Sequence, residues 1–277
     1  MSLSLNGSFA RRLRTLRLYK HHDERLLVIP LDHPVGNGPV TGGRRVNQLV
    51  EQIAASGADA VVLHKGSLRY VNPRWFARVS LIVHLSASTV HATDPDAKYL
   101  VAGVEEALRL GADAISVHVN LGSSQEKEQI RDLAAVSDAC DRWNIPLLAM
   151  MYARGPKIAN PYDPGLVAHA AAVATDLGAD LVKLDYVGDA VAMREIVDTC
   201  PVPVVVAGGP VREGEALTRH VEQVLSCGVA GLAIGRNVFT AADPAAVTQL
   251  LSGLVHPASS PSVPALDAPL TRIGALT

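Results

Sequence analysis

The sequence predicts an α/β chain closed into a (β/α)8 TIM barrel, with an N-terminal helical extension and an irregular C-terminal tail. Three observations lead there. The tripeptide Gly-Ala-Asp recurs at Gly57-Ala58-Asp59, Gly111-Ala112-Asp113 and Gly178-Ala179-Asp180, and a looser copy starts at Gly228. Each copy opens an apolar run of strand length. Strand-like runs alternate with helical patterns along the chain, which argues for parallel strands joined by right-handed crossovers. The 277 residues suit one barrel, which typically runs to about 250. A doubly wound open sheet is the alternative topology, but copies spread along the whole chain favour closure.

In order, a strand over Leu26–Leu31 is followed by a helix over Val46–Ala55, and Asp59–His64 comes next. Val79–Leu85 precedes a helical pattern over Lys98–Leu110, with apolar positions at Leu100, Val104, Ala107 and Leu108. Ala114–Val119 leads to Gln125–Trp143, and Pro146–Met151 to Pro164–Leu177. Leu181–Asp185 leads to Ala190–Thr199, Val202–Ala207 to Arg212–Ser226, and Gly231–Ile234 to Asp243–Leu254. These read as eight strand–helix pairs in a single domain over 1–255. Residues 256–277, rich in Pro and Ser, read as an extended tail without chemistry.

Aligning the copies separates two strand faces. Val61, Leu63, Ile115, Val117, Val182, Leu184, Leu232 and Ile234 are bulky and apolar, as befits a face packed on helices. The alternate positions, such as Ser116 and His118, are smaller and turn polar toward the C-terminal end, where barrel active sites lie. Lys183 falls on this inward face. Stripping an ammonium of water costs several kcal/mol, so such a lysine needs a reason. A structural ion pair is the bland one.

Composition narrows the function. Apolar residues make up 48% and aromatics only 4%, which gives a large aliphatic core. A net charge of −2 supplies no basic field for nucleic acid or anionic membrane. Cys140, Cys200 and Cys227 lack metal spacing and suggest reduced thiols in the cytoplasm. The segment through Lys20 has no apolar core or cleavage site of a secretory signal, and reads as an amphipathic helix lying on the barrel or on a neighbouring subunit.

Several strand ends carry unusual residues. Asp32-His33-Pro34-Val35-Gly36 leaves the first strand, either as a plain turn or as a rim carboxylate within reach of the lysine. Tyr152-Ala153-Arg154 ends the fifth, with Tyr152 facing the lumen by parity from Leu148 and Met150. Gly208-Gly209 ends the seventh and Gly235-Arg236 the eighth, with the arginine beginning a short helix. This is the barrel's usual phosphate site, where backbone N–H groups approach an anion unhindered by Cβ. His64, His84 and His118 also point toward the rim, and satisfied structural histidines are the more frequent case.

A lumenal lysine, a tyrosine, a carboxylate and a phosphate site suggest amine catalysis on a phosphorylated carbonyl compound. Desolvation favours the neutral amine, which attacks a ketone, and the resulting iminium is an electron sink that makes or breaks the adjacent C–C bond without metal or cofactor. Tyr152 would carry the proton at the changing bond, and Asp32 would assist carbinolamine dehydration. A catalytically silent sugar-phosphate sensor would keep the glycine site but would not need the lysine.

The segments Leu31-Asp32-His33, Val35-Gly36-Asn37-Gly38-Pro39, Val117-His118-Val119-Asn120, Met150-Met151-Tyr152, Val182-Lys183, Val204–Pro210 and Gly235-Arg236-Asn237-Val238-Phe239 resemble the archaeal-type, DhnA-like class I aldolases. The likeness runs from about Leu26 through Phe239, closest to the branch of 2-amino-3,7-dideoxy-D-threo-hept-6-ulosonate synthase. It implies Lys183 as the Schiff-base residue, Tyr152 as proton donor and Asp32 as proton acceptor. It also implies ligand contacts from Asp32, His33, Pro34, Val35 and Gly36, from Tyr152, Ala153 and Arg154, and from Gly208, Gly209, Gly235 and Arg236. A homo-oligomer, often a decamer in such proteins, is implied as well, and one branch performs acyl transfer to coenzyme A.

The chain departs from that family at Ala153, where proline is common, and at Ser86-Ala87-Ser88, where a glycine pair is usual. Met150 replaces the tryptophan of the fructose-bisphosphate aldolases, which favours the semialdehyde-condensing branch. Arginine outnumbers lysine 19 to 6, as in GC-rich genomes, where similar enzymes join dihydroxyacetone phosphate to L-aspartate 4-semialdehyde. That condensation leads to 3-amino-4-hydroxybenzoate and is the expected reaction, ahead of the transaldol-type synthase reaction.

Overall fold

A computed structural model describes residues 7–21, 23–39 and 43–257. Eight parallel strands close a barrel in chain order: Leu26–Pro30, Ala60–Leu63, Ser80–His84, Ala114–Leu121, Leu147–Ala153, Leu181–Leu184, Val204–Ala207 and Gly231–Ala233. The last pairs with the first through Leu26 and Gly231. The tail beyond residue 257 lies outside the described residues.

The two strand faces separate as their alternation requires. Val61, Leu63, Ile115, Val117, Val182, Leu184, Leu232 and Ile234 join the core between barrel and helices. Leu26, Val28, Ala60, Ile82, Leu148, Leu181 and Val205 fill the lumen from below. The helix Phe9–Leu18 lies across the barrel floor, and the buried Leu18 and Tyr19 join this inner cluster. Arg11, also buried, anchors that helix by donating from Nε and Nη2 to Asp180 at 2.7 Å each. Such paired, charge-assisted bonds fix orientation as well as position.

The recurring Gly-Ala-Asp has a physical role at this floor. Each glycine ends a connection in a left-handed conformation, with φ of +85°, +89° and +86° at Gly57, Gly111 and Gly178. Each aspartate then accepts a backbone N–H from the strand before it: Asp59 from Leu27 at 2.7 Å, Asp113 from Leu81 at 2.9 Å and Asp180 from Leu147 at 2.7 Å. The same residues return the contact, their own N–H groups donating to Leu27, Leu81 and Leu147 carbonyls. Strands one and two, three and four, and five and six are thereby stapled in register. The looser copy has Ala230 in place of aspartate and keeps only the backbone bond, to Val204.

His256 closes the floor from the other terminus of the described barrel. Its Nδ1 lies 2.7 Å from Asp23, its Nε2 lies 2.9 Å from Asp59, and its ring stacks on His21 at 3.9 Å. Burial alone would push this imidazole toward its neutral form. Asp59 and Asp23 outweigh it and raise the pKa above the ordinary histidine value.

Three connections differ from the sequence expectation. The second strand is followed by two 3₁₀ turns, Ser67–Tyr70 and Pro73–Ala77, so seven of the eight strands lead into an α-helix rather than all eight. Pro73 starts the second turn, and its missing N–H suits a first turn and not a helix interior. The stretch read as a helix from Lys98 is first a short antiparallel hairpin, Ser86–Ala87 with Tyr99–Leu100; the helix occupies only Val104–Arg109. The loop after the first strand contains one helical turn, His33–Asn37.

Candidate active site

The open, C-terminal mouth of the barrel holds a cavity of about 480 Å³, within the usual range for small-molecule sites. Lys183, on the sixth strand between Met150 and Val205, is 6% exposed and borders it. Its Nζ lies 5.9 Å from the centroid of the Tyr152 ring. Among the described residues Lys183 makes no close ion pair, although both cavity carboxylates attract it through space. Asp32 lies 3.6 Å from His33 and 3.9 Å from His84, and Asp185 lies 3.6 Å from Arg154.

Tyr152 is held on three sides. Its ring is tilted against His118 at 4.8 Å, covered by the Arg154 guanidinium at 4.1 Å, and turned to Lys183. A cation over the ring face is favourable because the π-system is negative there. The tyrosine is therefore positioned by packing, and its hydroxyl remains the chemically useful end.

Asp32 sits directly after the first strand. Burial opposes its charge, but His84, His33 and Lys183 favour it more strongly, and its pKa falls well below the usual carboxylate range. One of its oxygens is buried without a hydrogen bond. Asp185 shifts the other way: burial raises it, against the attraction of Arg154 and Lys183. The cavity thus pairs a firmly ionised carboxylate with one that protonates more readily, the arrangement that separates acid from base roles.

Four imidazoles line the wall. Burial pushes His33 and His64 down, and takes His84 to about 4 and His118 well below its ordinary value. Burial thus favours the neutral ring at each of the four. His84 Nδ1 meets Ser116 Oγ at 2.8 Å, and His118 Nε2 meets Asn120 Oδ1 at 2.8 Å. His84 and His118 are thus hydrogen-bonded, whereas His33 Nδ1 is buried without a hydrogen-bond partner, and all four rings form part of the cavity surface.

Across the mouth, the seventh and eighth strands end in Gly208-Gly209 and Gly235-Arg236, all of which border the cavity. Gly209 has φ +63°, a conformation that costs a non-glycine residue. A Cβ on Gly235 would stand 2.5 Å from the Pro30 carbonyl oxygen. Arg236 opens the short helix Arg236–Phe239 and donates to the Gly209 carbonyl at 2.9 Å. The glycines, the arginine and the helix start converge as an anion site requires.

Of the other residues singled out, His33, Val35, Gly36 and Arg154 border the cavity. Pro34 turns to a neighbouring crevice beside Leu31 and Phe239. Ala153 is buried and, by strand alternation, faces away from the mouth. Among the cavity residues given no role from the sequence are Asp185 and Lys98. Asp185 shares the parity of Lys183, which was the available signal. Lys98 was hidden by the apparent helical spacing of its loop.

The DeoC/LacD family aldolase model matches residues 26–241. The chain is 60% identical to the 2-amino-4,5-dihydroxy-6-oxo-7-(phosphonooxy)heptanoate synthase of Streptomyces griseus, covering 91% of this chain and 92% of that one. It is 40% identical to 2-amino-3,7-dideoxy-D-threo-hept-6-ulosonate synthase 1 of Archaeoglobus fulgidus, over 89% of this chain and 91% of that one. Among solved structures, an archaeal fructose-1,6-bisphosphate aldolase with its catalytic Lys covalently bound to the substrate's carbinolamine intermediate superposes with a TM-score of 0.80. That match has 29% identity and covers 88% of this chain and 98% of that one.

Proposed function

The chain belongs to the DeoC/LacD family of aldolases, and from that premise we propose that it joins dihydroxyacetone phosphate to L-aspartate 4-semialdehyde through a lysine Schiff base. The product is then 2-amino-4,5-dihydroxy-6-oxo-7-(phosphonooxy)heptanoate, the compound named for the Streptomyces griseus relative. The observation that carries the reading is one cavity bringing Lys183, Tyr152 and Asp32 together with the glycine-lined anion site.

Lys183 adds to the donor ketone, and loss of water gives an iminium. The neighbouring carbon then gives up a proton, and the enamine attacks the aldehyde carbon. Tyr152 supplies the proton to the new hydroxyl oxygen, and water releases the product from the lysine. Asp32, held anionic by its surroundings, stabilises the positive iminium formed on dehydration and accepts the proton that the neighbouring carbon gives up. Gly208, Gly209, Gly235 and Arg236 hold the phosphate, so the reacting carbon is oriented against the amine. Such orientation is worth as much as about 7–11 kcal/mol in well-aligned cases. His33, Val35, Gly36 and Arg154 shape the acceptor side.

We place the enzyme in the cytoplasm as a homo-oligomer. Phe9, Leu13 and Leu16 are exposed at helical spacing on the N-terminal helix, which supports a subunit contact there; light scattering tests it. The function is tested by incubating the protein with dihydroxyacetone phosphate, reducing with borohydride and weighing it. A mass increase absent from Lys183→Met is expected. No increase in the wild type, or one that persists in the variant, ends the Schiff-base reading.

A further inference from the structure

We propose that Lys98 anchors the carboxylate of the acceptor aldehyde, making the strand-three rim an amino-acid-recognising subsite opposite the phosphate site. The inference rests on the aldol reading above and adds to it the residue that selects the acceptor.

The placement follows from topology. Lys98 sits at the foot of the hairpin formed by Ser86–Ala87 and Tyr99–Leu100, directly after the third strand. The glycine-lined anion site ends the seventh and eighth strands. In a closed eight-stranded barrel, strands four apart face each other, so the third and seventh rims lie on opposite sides of the mouth. Lys183, on the sixth strand, stands next to the phosphate side. A substrate chain spanning the cavity therefore has its phosphate and ketone at one side and its far end under Lys98. In the proposed seven-carbon product that far end is a carboxylate.

The chemistry of the lysine fits this end. Its ammonium, half-buried and bordering the cavity, donates to Ser88 Oγ and to the Pro95 carbonyl at 3.0 Å. Both acceptors are neutral, and the carboxylates of Asp96, Asp32 and Asp94 act on the ammonium only through space, so no hydrogen-bonded carboxylate among the described residues occupies it. Ser88 is held in turn by its own bond to the Pro95 carbonyl at 2.6 Å. An ammonium has three protons, and two of them are engaged. One remains for an oxygen of the substrate's far carboxylate, while the phosphate has backbone N–H groups and a guanidinium at the opposite rim. The loop is tied down on both sides: Val90 donates to the Gly36 carbonyl at 2.9 Å, and Asn120 Nδ2 to the Asp96 carbonyl at 2.8 Å. Ser86-Ala87-Ser88, a departure from the family pattern, supplies the hydroxyl that aims the lysine.

The test compares acceptors in the intact enzyme, with dihydroxyacetone phosphate as donor. Succinate semialdehyde carries the far carboxylate, butanal lacks it, and glyceraldehyde 3-phosphate replaces it with phosphate. In Lys98→Met the ratio of kcat/KM for succinate semialdehyde over butanal should fall by about 10- to 100-fold, the size of one hydrogen bond to a charged group. The fall should appear mainly in KM, and Lys98→Arg should restore part of it. Borohydride should still trap the donor on the variant. An unchanged ratio, an equal loss with both aldehydes, or a larger loss with glyceraldehyde 3-phosphate overturns the inference. If the wild type traps no donor, the aldol reading fails first and this one with it.

Discussion

Replacing Tyr152 with phenylalanine removes one oxygen and little else, and the surroundings of the ring set the expected size of the effect. The contacts that hold the ring, His118 at 4.8 Å, the Arg154 guanidinium at 4.1 Å and Lys183 at 5.9 Å, involve its face and edge and survive in phenylalanine. The side chain is 6% exposed, so the cavity wall keeps its shape. Donor capture by Lys183 should continue, and borohydride should trap the same adduct at a similar extent. Aldol turnover should drop by about 10²–10⁴-fold, the usual contribution of a positioned proton carrier. That equals about 2.7–5.4 kcal/mol of barrier, at 1.36 kcal/mol per decade. The loss belongs in kcat, because the hydroxyl acts at the bond being formed. Steady-state product formation from both substrates, set beside the trapping yield, separates the two steps. Turnover within about threefold of wild type would refute the assignment, and a parallel loss of trapping would show that the ring, not the proton, had been disturbed.

Two further outcomes follow from the geometry. Gly235→Ala places a Cβ 2.5 Å from the Pro30 oxygen and 3.0 Å from His33 Cε1, neither of which is the end of a flexible chain. We expect stability to fall by about 1–3 kcal/mol and the donor KM to rise, by thermal denaturation and steady-state kinetics; an unchanged melting point and KM would contradict the close-packed anion site. The His256 clamp carries a pH dependence of definite sign. Its folded-state pKa is raised, so its stabilisation is complete below the ordinary value of about 6.5 and is lost as pH rises through the raised value. Wild type should therefore lose more stability than His256→Gln on going from pH 6 to pH 9, and equal losses in denaturant titrations would dismiss the clamp.

The barrel was legible because its copies of Gly-Ala-Asp carry backbone information. The glycine ends one connection, the aspartate starts the next strand, and side-chain parity does the rest. Lys183 and Tyr152 were found by that parity and Asp32 by its place at a strand end, and all three border one cavity. The misreadings have local causes. Residues 98–110 show helical spacing, but Leu100 faces a hairpin partner, and the helix waits for Gly103 to cap it. The connection after the second strand is interrupted at Pro73 and forms two 3₁₀ turns instead of a helix. Pro34 and Ala153 followed from neighbours in the sequence, whereas strand alternation and a turn of helix send them elsewhere. The floor contacts of Arg11 and His256 join residues more than 160 positions apart, and no local pattern reveals such pairs.

The aspartate staples lie wholly beneath the barrel, at the end where no substrate arrives. Mouth loops are therefore free to lengthen, shorten or exchange residues without loosening the seams that keep neighbouring strands aligned. The hairpin over the rim can be edited while the masonry below passes on untouched.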